Sequence, residues 1–504
     1  MHCTWNWRLW TIVGLLWVAG CTVGPKYKRP ETMANRVDRF ANASQRTPDA
    51  NEVETPDEWW KRFGDPTTAD LVTRAMERNY DLKAGAARVL QAQAALGQAR
   101  GQLWPIASYG LTGDQSKRFF NFGGGDGDSL FGPSDPNAPF DFSGLKFSPV
   151  VTTWSQSISV TYVVDLFGKL RHAQRAAWAT LLATGASQQA VANSVIASVI
   201  QARVNIATLQ RRLDIAQANI KSWEKTLDIT ERRYREGLIG PVDVRIARAN
   251  LEAARAQEPA LRQSLAMAAN ALDVLLGQPP GASPSLPATL PDLPELEVVP
   301  VSVPAALLDR RPDVRAAEFQ LVAANERVGI SIAQLYPDLA LTGLYGFSGA
   351  TWNDIWAPST QSEIFSTIMS VSAPIFQGGQ LRAQVRAAKA RFAELASMYA
   401  GTVLTAMREV EDALVSERLF AEQLEHVALQ VREAQAGEEM ARQRYELGAE
   451  NILTVLESQR QRRLAEEQFA ILRGQIWIAR INLHLALGGD WSRGEVPEKQ
   501  VAWE

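Results

Sequence analysis

The sequence predicts an α+β membrane protein built of two internal repeats, in which long helical hairpins alternate with pairs of short strands. Three observations predict it. One half of the chain aligns on the other, two long runs contain no proline, and the segments before those runs alternate apolar and small polar residues. The 504 residues are 46% hydrophobic and 21% charged, the balance of a folded chain.

Residues 1–20 read as a signal peptide: one cation, Arg8, precedes an apolar run over 9–18 that is too short to be a transmembrane helix. The run ends in Val18-Ala19-Gly20-Cys21, small residues before a cysteine, as in a lipoprotein box. Acylated Cys21, bearing N-palmitoyl and S-diacylglycerol groups, would anchor the mature chain, each buried CH₂ contributing about 0.8 kcal/mol. Thr22 in place of Asp after the cysteine implies sorting to the outer membrane. Cys3 is the only other cysteine, so no core disulfide can form. No later run of 18 apolar residues occurs, which leaves any further spanning to β-strands. Removing 1–20 takes the net charge from −3 to −4, and no basic surface advertises nucleic acid. His2, His172, His426 and His484 never share the spacing of a metal-binding helical face, so no metal and no other cofactor is expected.

The segment DLKAGAARVLQAQAALGQARGQLWP from Asp81 aligns without gaps on DVRAAEFQLVAANERVGISIAQLYP from Asp313, a shift of 232. Later motifs keep a shift of 211. GKLRHAQRAAWA from Gly168 falls on GQLRAQVRAAKA from Gly379, the ERRYREG ending at Gly237 on the RQRYELG ending at Gly448, and Leu276-Gly277 on Leu487-Gly488. The 21-residue difference lies between Pro105 and Gly168, where Gly123, Gly124, Gly125, Pro133 and Pro139 imply a surface loop. The chain then divides into the signal peptide 1–20, a lipid-anchored extension 21–66, a first repeat 67–280, a linker or equatorial segment 281–304, a second repeat 305–491 and a tail 492–504.

The runs 168–236 and 379–447 are free of proline, and each run of 69 residues predicts a helix of about 100 Å. Each ends at a breaker, 237–241 or 448–451, and a return helix of about 54 Å follows to Leu276 or Leu487. Helices over 70–103 and 304–335, the latter about 45 Å long, supply the remaining length. Closely spaced alanines (Ala84, Ala86, Ala87, Ala92, Ala94, Ala95) allow tight helix packing, and Pro259 predicts a kink in the first return helix.

After Pro105 and Pro337 the period becomes two. Leu339, Leu341, Gly343, Tyr345 and Phe347 alternate with Ala340, Thr342, Leu344 and Gly346, and Ile158, Val160, Tyr162 and Val164 with Ser157, Ser159, Thr161 and Val163. Residues 368–375 read similarly, giving four strands in all, with Tyr109, Trp154, Trp352 and Trp356 as candidates for interfacial girdles. Four strands leave open edges that lipid does not tolerate, so the chain must oligomerise. Two copies give eight strands and three give twelve; a conduit with a lumen favours twelve.

Several motifs recur in order: Cys21-Thr22-Val23-Gly24-Pro25-Lys26-Tyr27, Trp59-Trp60, Phe63-Gly64-Asp65-Pro66, Asp165-Leu166-Phe167-Gly168, Leu308-Asp309-Arg310-Arg311-Pro312-Asp313, Pro374-Ile375-Phe376-Gln377-Gly378-Gly379 and Ala486-Leu487-Gly488-Gly489. Together they resemble the outer-membrane efflux protein family typified by TolC and OprM, in its NodT-type lipoprotein branch. The resemblance implies a homotrimer, with a twelve-stranded transmembrane β-barrel continuous with a twelve-helix periplasmic α-barrel. It implies a passive duct for small molecules such as drugs and toxic compounds, supplied by a periplasmic adaptor (membrane fusion protein) and an inner-membrane RND transporter. The helix-tip turns carry over to Tyr234, Gly237 and Gly448, and the periplasmic gate to Leu453, Glu457, Tyr445 and Asp243. Leu453 and Glu457, four apart, share a helix face, so three chains could set an apolar ring above an acidic one. A solvated helix face is the competing reading of Glu457. Where TolC pairs an acid with an arginine, Asp243 and Glu450 are both acidic, leaving Arg245, Arg248 or Arg460 as substitutes for the latch. Type I protein secretion is the nearer alternative within transport, and a lipid-anchored helical spacer is the alternative of another class. No nucleophile motif, phosphate loop or metal cluster supports an enzyme.

Overall fold

The computed structural model describes residues 22–37, 40–42, 59–117, 120–121, 146–282, 286–287, 289–291, 310–356 and 362–489. The signal peptide, Cys21, the loop over 122–145, most of the linker and the tail lie outside the described residues. The chain forms two compact units, one of Met1–Tyr27, Ala95–Ala177 and Ala324–Arg391, the other of Lys28–Ala94, Trp178–Ala323 and Phe392–Glu504.

Helices α1 (Pro66–Arg78), α2 (Tyr80–Gly101), α3 (Lys169–Arg235), α4 (Pro241–Leu275), α5 (Pro312–Ala333), α6 (Gln380–Glu446) and α7 (Ile452–Ala486) follow in order. The long helices α3 and α6 have 67 residues each and the return helices α4 and α7 have 35 each, close to the expected lengths. Helix α4 continues through Pro259. The single helix expected over 70–103 is instead broken at Asn79, whose φ of −58° and ψ of 131° leave the helical region. There Asn79 Oδ1 accepts the N–H groups of Asp81 at 2.8 Å and Leu82 at 3.1 Å, capping α2, while Nδ2 donates to the Leu275 carbonyl at 2.9 Å. Of the helix expected over 304–335, residues 304–309 lie outside the described residues, Arg310 is helical, Arg311 interrupts, and α5 runs on for about 33 Å from Pro312, whose missing N–H suits a first helical position.

The second unit is centred on Trp59, Phe63, Val195, Ile196, Ile200, Leu272 and Trp477. The rings of Phe63 and Trp477 stack at 5.2 Å, as do those of Trp59 and His484. Among the described helices α3 is long and apolar enough to cross a membrane by composition, and 61% of its most apolar stretch is buried, as expected of a core helix that supplies Ile196 and Ile200.

The first unit holds an antiparallel sheet of β1 (Ile106–Lys117), β4 (Val150–Val164), β5 (Asp338–Gly349) and β6 (Glu363–Ser372), in the order β1-β4-β5-β6. The last strand, expected over 368–375, begins earlier and stops before Pro374, which has no N–H to give to a ladder. A short pair not foreseen from the sequence, β2 (Phe120–Asn121) with β3 (Lys146–Phe147), flanks the loop. The register separates the two faces by chemistry. Tyr109, Ile158, Tyr345 and Phe365 lie opposite one another, and so do Ala107, Val160, Gly343 and Thr367, while Leu341 lies opposite Tyr162 and Met369. The alternate positions are hydroxyl-rich: Ser108 bonds Ser159 at 2.7 Å and Thr112 bonds Ser155 at 2.6 Å.

Candidate functional site

Two parts of the chain can bear on transport, the sheet and the helix tips. On the sheet, Ile158, Tyr345, Phe365 and Met369 present an apolar face that the single chain leaves exposed. Trp154 packs edge-on against Trp352 at 5.0 Å, and Trp352 lies 5.9 Å from Trp356, so these three cluster at one end. Tyr109 does not join them. It faces Ile158, four residues and about 13 Å along the strand from Trp154, and its hydroxyl donates to Gln156 Oε1 at 3.0 Å. At the other end Phe167 stacks on Tyr336 at 4.6 Å, an aromatic pair the sequence reading missed because both residues lie in turns outside the alternating segments.

Beside that pair, the residues following Cys21 are held firmly. Val23 N–H donates to the Phe167 carbonyl at 3.2 Å, Asn325 Nδ2 donates to the Pro25 carbonyl at 3.0 Å, and His172 contacts the Val23 carbonyl through Nε2 at 3.1 Å and Glu326 through Nδ1 at 2.6 Å. Cys21 itself lies outside the described residues.

The two tips are built alike. Gly237 and Gly448 have φ of +75° and +76°, a conformation without steric cost only for glycine. Leu238 N–H bonds the Arg233 carbonyl and Gly237 N–H the Tyr234 carbonyl, both at 3.0 Å; Ala449 with Arg444 at 2.8 Å and Gly448 with Tyr445 at 3.0 Å repeat the pattern. This double closure satisfies the last carbonyls of α3 and α6 and turns the chain into the return helices.

The sequence-predicted residues divide between surface and core. Leu453 is 55% exposed and Glu457 is exposed on the same face of α7, whereas Ile452, Val455 and Leu456 are buried. Tyr234, Gly237 and Gly448 are exposed at the turns, and Asp243 is half-buried in the first turn of α4. Tyr445, expected at the gate with Leu453, is instead 2% exposed, packed in a cluster with Trp223, Leu251, Ile452 and Val455. Arg460 donates to Glu457 through Nη2 at 2.6 Å and Nε at 2.9 Å, and these bonds, then one from Gln461, hold the Glu457 carboxyl below its ordinary range. Glu450 accepts Asn451 N–H at 3.2 Å and the Thr454 hydroxyl at 3.1 Å, which lowers its pKa in that order of cause. Arg248 pairs with Glu231 at 2.7 Å across the first hairpin. Among the described residues, the ion pairs of Arg248 and Arg460 therefore stay within one hairpin. Arg233 crosses to the other, and it was missed: its guanidinium lies 4.6 Å from the centroid of the Tyr445 ring and donates to the Tyr445 carbonyl. In sequence it is one arginine among several in ERRYREG, with nothing to mark it.

Comparison with known proteins fixes the family. The family model for outer membrane efflux proteins matches residues 71–278 and 303–489. The chain belongs to the outer membrane efflux protein family. It is 30% identical to the probable efflux pump outer membrane protein SepC of Pseudomonas putida over 94% of this chain and 95% of that protein. It is 32% identical to the pyoverdine export outer membrane protein OpmQ of Pseudomonas putida over 89% and 92%. The outer-membrane channel OprN superposes with a TM-score of 0.81 at 27% identity, covering 94% of this chain and all of that one. The Campylobacter jejuni CmeC channel, at 23% identity over 94% and 96%, shares the fold with a TM-score of 0.83. This is therefore an outer-membrane efflux protein, from a family of channels and not of enzymes, mostly helical with one four-stranded sheet per chain.

Proposed function

We propose that three copies join their sheets into one twelve-stranded barrel, continuous with a twelve-helix periplasmic barrel, and form the passive outer-membrane duct of a tripartite RND-type pump. The sheet carries the reading. Its outer strands β1 and β6 each keep an unpaired edge, and its apolar and hydroxyl faces suit lipid outside and water within. A periplasmic adaptor and an inner-membrane transporter supply substrate. The relatives named for toluene, pyoverdine and antibiotic efflux support small molecules as cargo. The fixed position of residues 22–25, with Val23 bonded to the turn that follows β4, supports a lipid anchor on Cys21.

Exposure of Leu453 and Glu457 on one face of α7 supports a gate at the tips. Single-channel conductance in planar bilayers tests this: Glu457→Ala and Leu453→Ala raise the conductance, Leu453→Ala with its cation selectivity kept and Glu457→Ala with it reduced, and a folded trimer silent in every form would overturn the duct. The pH dependence is defined. Glu457 keeps its charge as pH falls to the ordinary value of 4.5, so reversal potentials stay cation-selective to that pH and lose selectivity only below it. Arg460→Gln removes the largest cause and raises the pH at which selectivity is lost.

A further inference from the structure

We infer that His172 closes a proton-dependent clasp on the segment that follows Cys21: carrying two protons, its ring bridges Glu326 and the Val23 carbonyl, and carrying one it lets residues 22–25 loosen. The ring stands between α5 and that segment, with Nδ1 2.6 Å from Glu326 Oε2 and Nε2 3.1 Å from the Val23 oxygen. A carbonyl and an ionised carboxylate only accept, so each gap needs its own proton, and a neutral imidazole carries one. The second proton completes the site, and it rests on the ring, the more basic of the two side chains. When it leaves, the remaining N–H stays with the carboxylate, the stronger acceptor, and a ring lone pair is turned on the Val23 oxygen. The side chains of His172 and Glu326 are only 6% and 12% exposed, so little water is at hand to replace the lost bond.

The helices form without this pair. At the shift of 211 His172 aligns with Ala383, and at 232 Glu326 aligns with Ala94, both exposed on regular helices. Glycines bring the ring and the segment together: a Cβ on Gly329 would lie 2.6 Å from His172 Cε1, one on Gly24 3.2 Å from Nε2, and one on Gly168 2.8 Å from Thr22 Cγ2. Glu326 is the charged group in contact with the ring. Of the charges around it, Lys169 pairs with Asp338 at 2.9 Å and Arg171 with Asp165 at 3.2 Å, Arg175 lies almost one turn farther along α3, and Arg327 of α5 and Lys26 of the segment are exposed. The bonds from Val23 N–H to the Phe167 carbonyl and from Asn325 to the Pro25 carbonyl do not titrate, so losing the proton loosens the segment without freeing it. That this slackens an anchor rests on the lipid reading of Cys21.

The test is hydrogen–deuterium exchange of the peptide carrying residues 22–27 in the detergent-solubilised mature protein, at about pH 5.5 and about pH 8.5, on either side of the ordinary histidine range. Each rate is divided by that of the unfolded chain at the same pH, which removes the intrinsic pH dependence of exchange. The wild type is protected about tenfold more at the lower pH, the worth of one hydrogen bond to a charged group, while the peptide carrying residues 28–36, held by the Arg29 and Glu318 pair, is protected equally at both. His172→Asn abolishes the difference. Glu326→Gln keeps the segment protected at both pH values, because its amide donates to Nδ1 and leaves the ring N–H for Val23, whereas a carboxylate with a merely structural role would lose protection when replaced. Equal protection of the wild type at the two pH values overturns the clasp, and so does a fall in Glu326→Gln as large as that of the wild type. If His172→Asn fails to assemble, the wild type and Glu326→Gln decide by the same criteria. The intact mass of the mature chain is measured in parallel: a mass without acyl groups overturns the lipid reading and leaves the clasp to the exchange result.

Discussion

Helices α2 and α5 align residue for residue at the shift of 232 and have 22 residues each, yet the single chain treats them oppositely. Helix α5 buries Val314, Leu321, Ala323, Ala324 and Val328. Within α2 only Gly85 and Leu96 are buried, and the alanines expected to pack it tightly, Ala84, Ala86, Ala87, Ala94 and Ala95, are exposed, with Ala92 half-buried. Part of the cause is the chain that follows Cys21. Pro25 accepts from Asn325, and Arg29 grips Glu318 through Nε at 2.7 Å and Nη2 at 2.5 Å, whereas the aligned position in α2 is the exposed Ala86. Equivalent sequence patterns thus give equivalent helices, and burial depends on what is laid against them. In the trimer proposed above, an α2 that offers Tyr80, Leu90 and a row of alanines to the outside is a surface for a second copy to cover.

The largest effect that sharpens this contrast comes from Leu321→Ala, which removes a side chain with no exposure and costs about 2–5 kcal/mol. Val89→Ala at the aligned, half-buried position costs clearly less in the same denaturant titration of the detergent-solubilised protein, and equal losses would break the comparison. Arg29→Ala comes next. It leaves a largely buried Glu318 short of its bidentate partner, for a loss of about 1–2 kcal/mol after discounting the partial exposure of Arg29. The smallest effect on the folded chain is Leu90→Asp, at a side chain 64% exposed, which changes single-chain stability by less than about 0.5 kcal/mol. Light scattering after size exclusion then shows a shift from trimer to monomer. An unchanged trimer would mean that α2 is not the covered surface.

The hairpins were legible because a run without proline and a closing glycine is a local signal, and the sheet because one residue in two faces each side of a pleat. Other features were not. The break at Asn79 depends on one amide that caps α2 and also reaches Leu275, nearly two hundred residues away in sequence. The pair β2 and β3 is two residues long on each side, too short for any period to appear. At the tips, the sequence located the turns and the exposed pair Leu453 and Glu457; burial sets Tyr445 apart from that pair, and of the arginines Arg245, Arg248 and Arg460 that it offered for the latch, Arg248 and Arg460 pair within their own hairpins.

By itself the sequence determined the elements and their order: two long hairpins, strands with one apolar and one hydroxyl-rich face, and glycine turns at the tips. These follow from bonds and periodicities that act within a few residues of chain. Only the tertiary structure decided which of two matching helices is covered, which of several arginines crosses from hairpin to hairpin, and which aromatic residues gather at each end of the sheet. Those outcomes depend on side chains meeting from distant parts of the chain, where packing and desolvation, not local propensity, choose the partner.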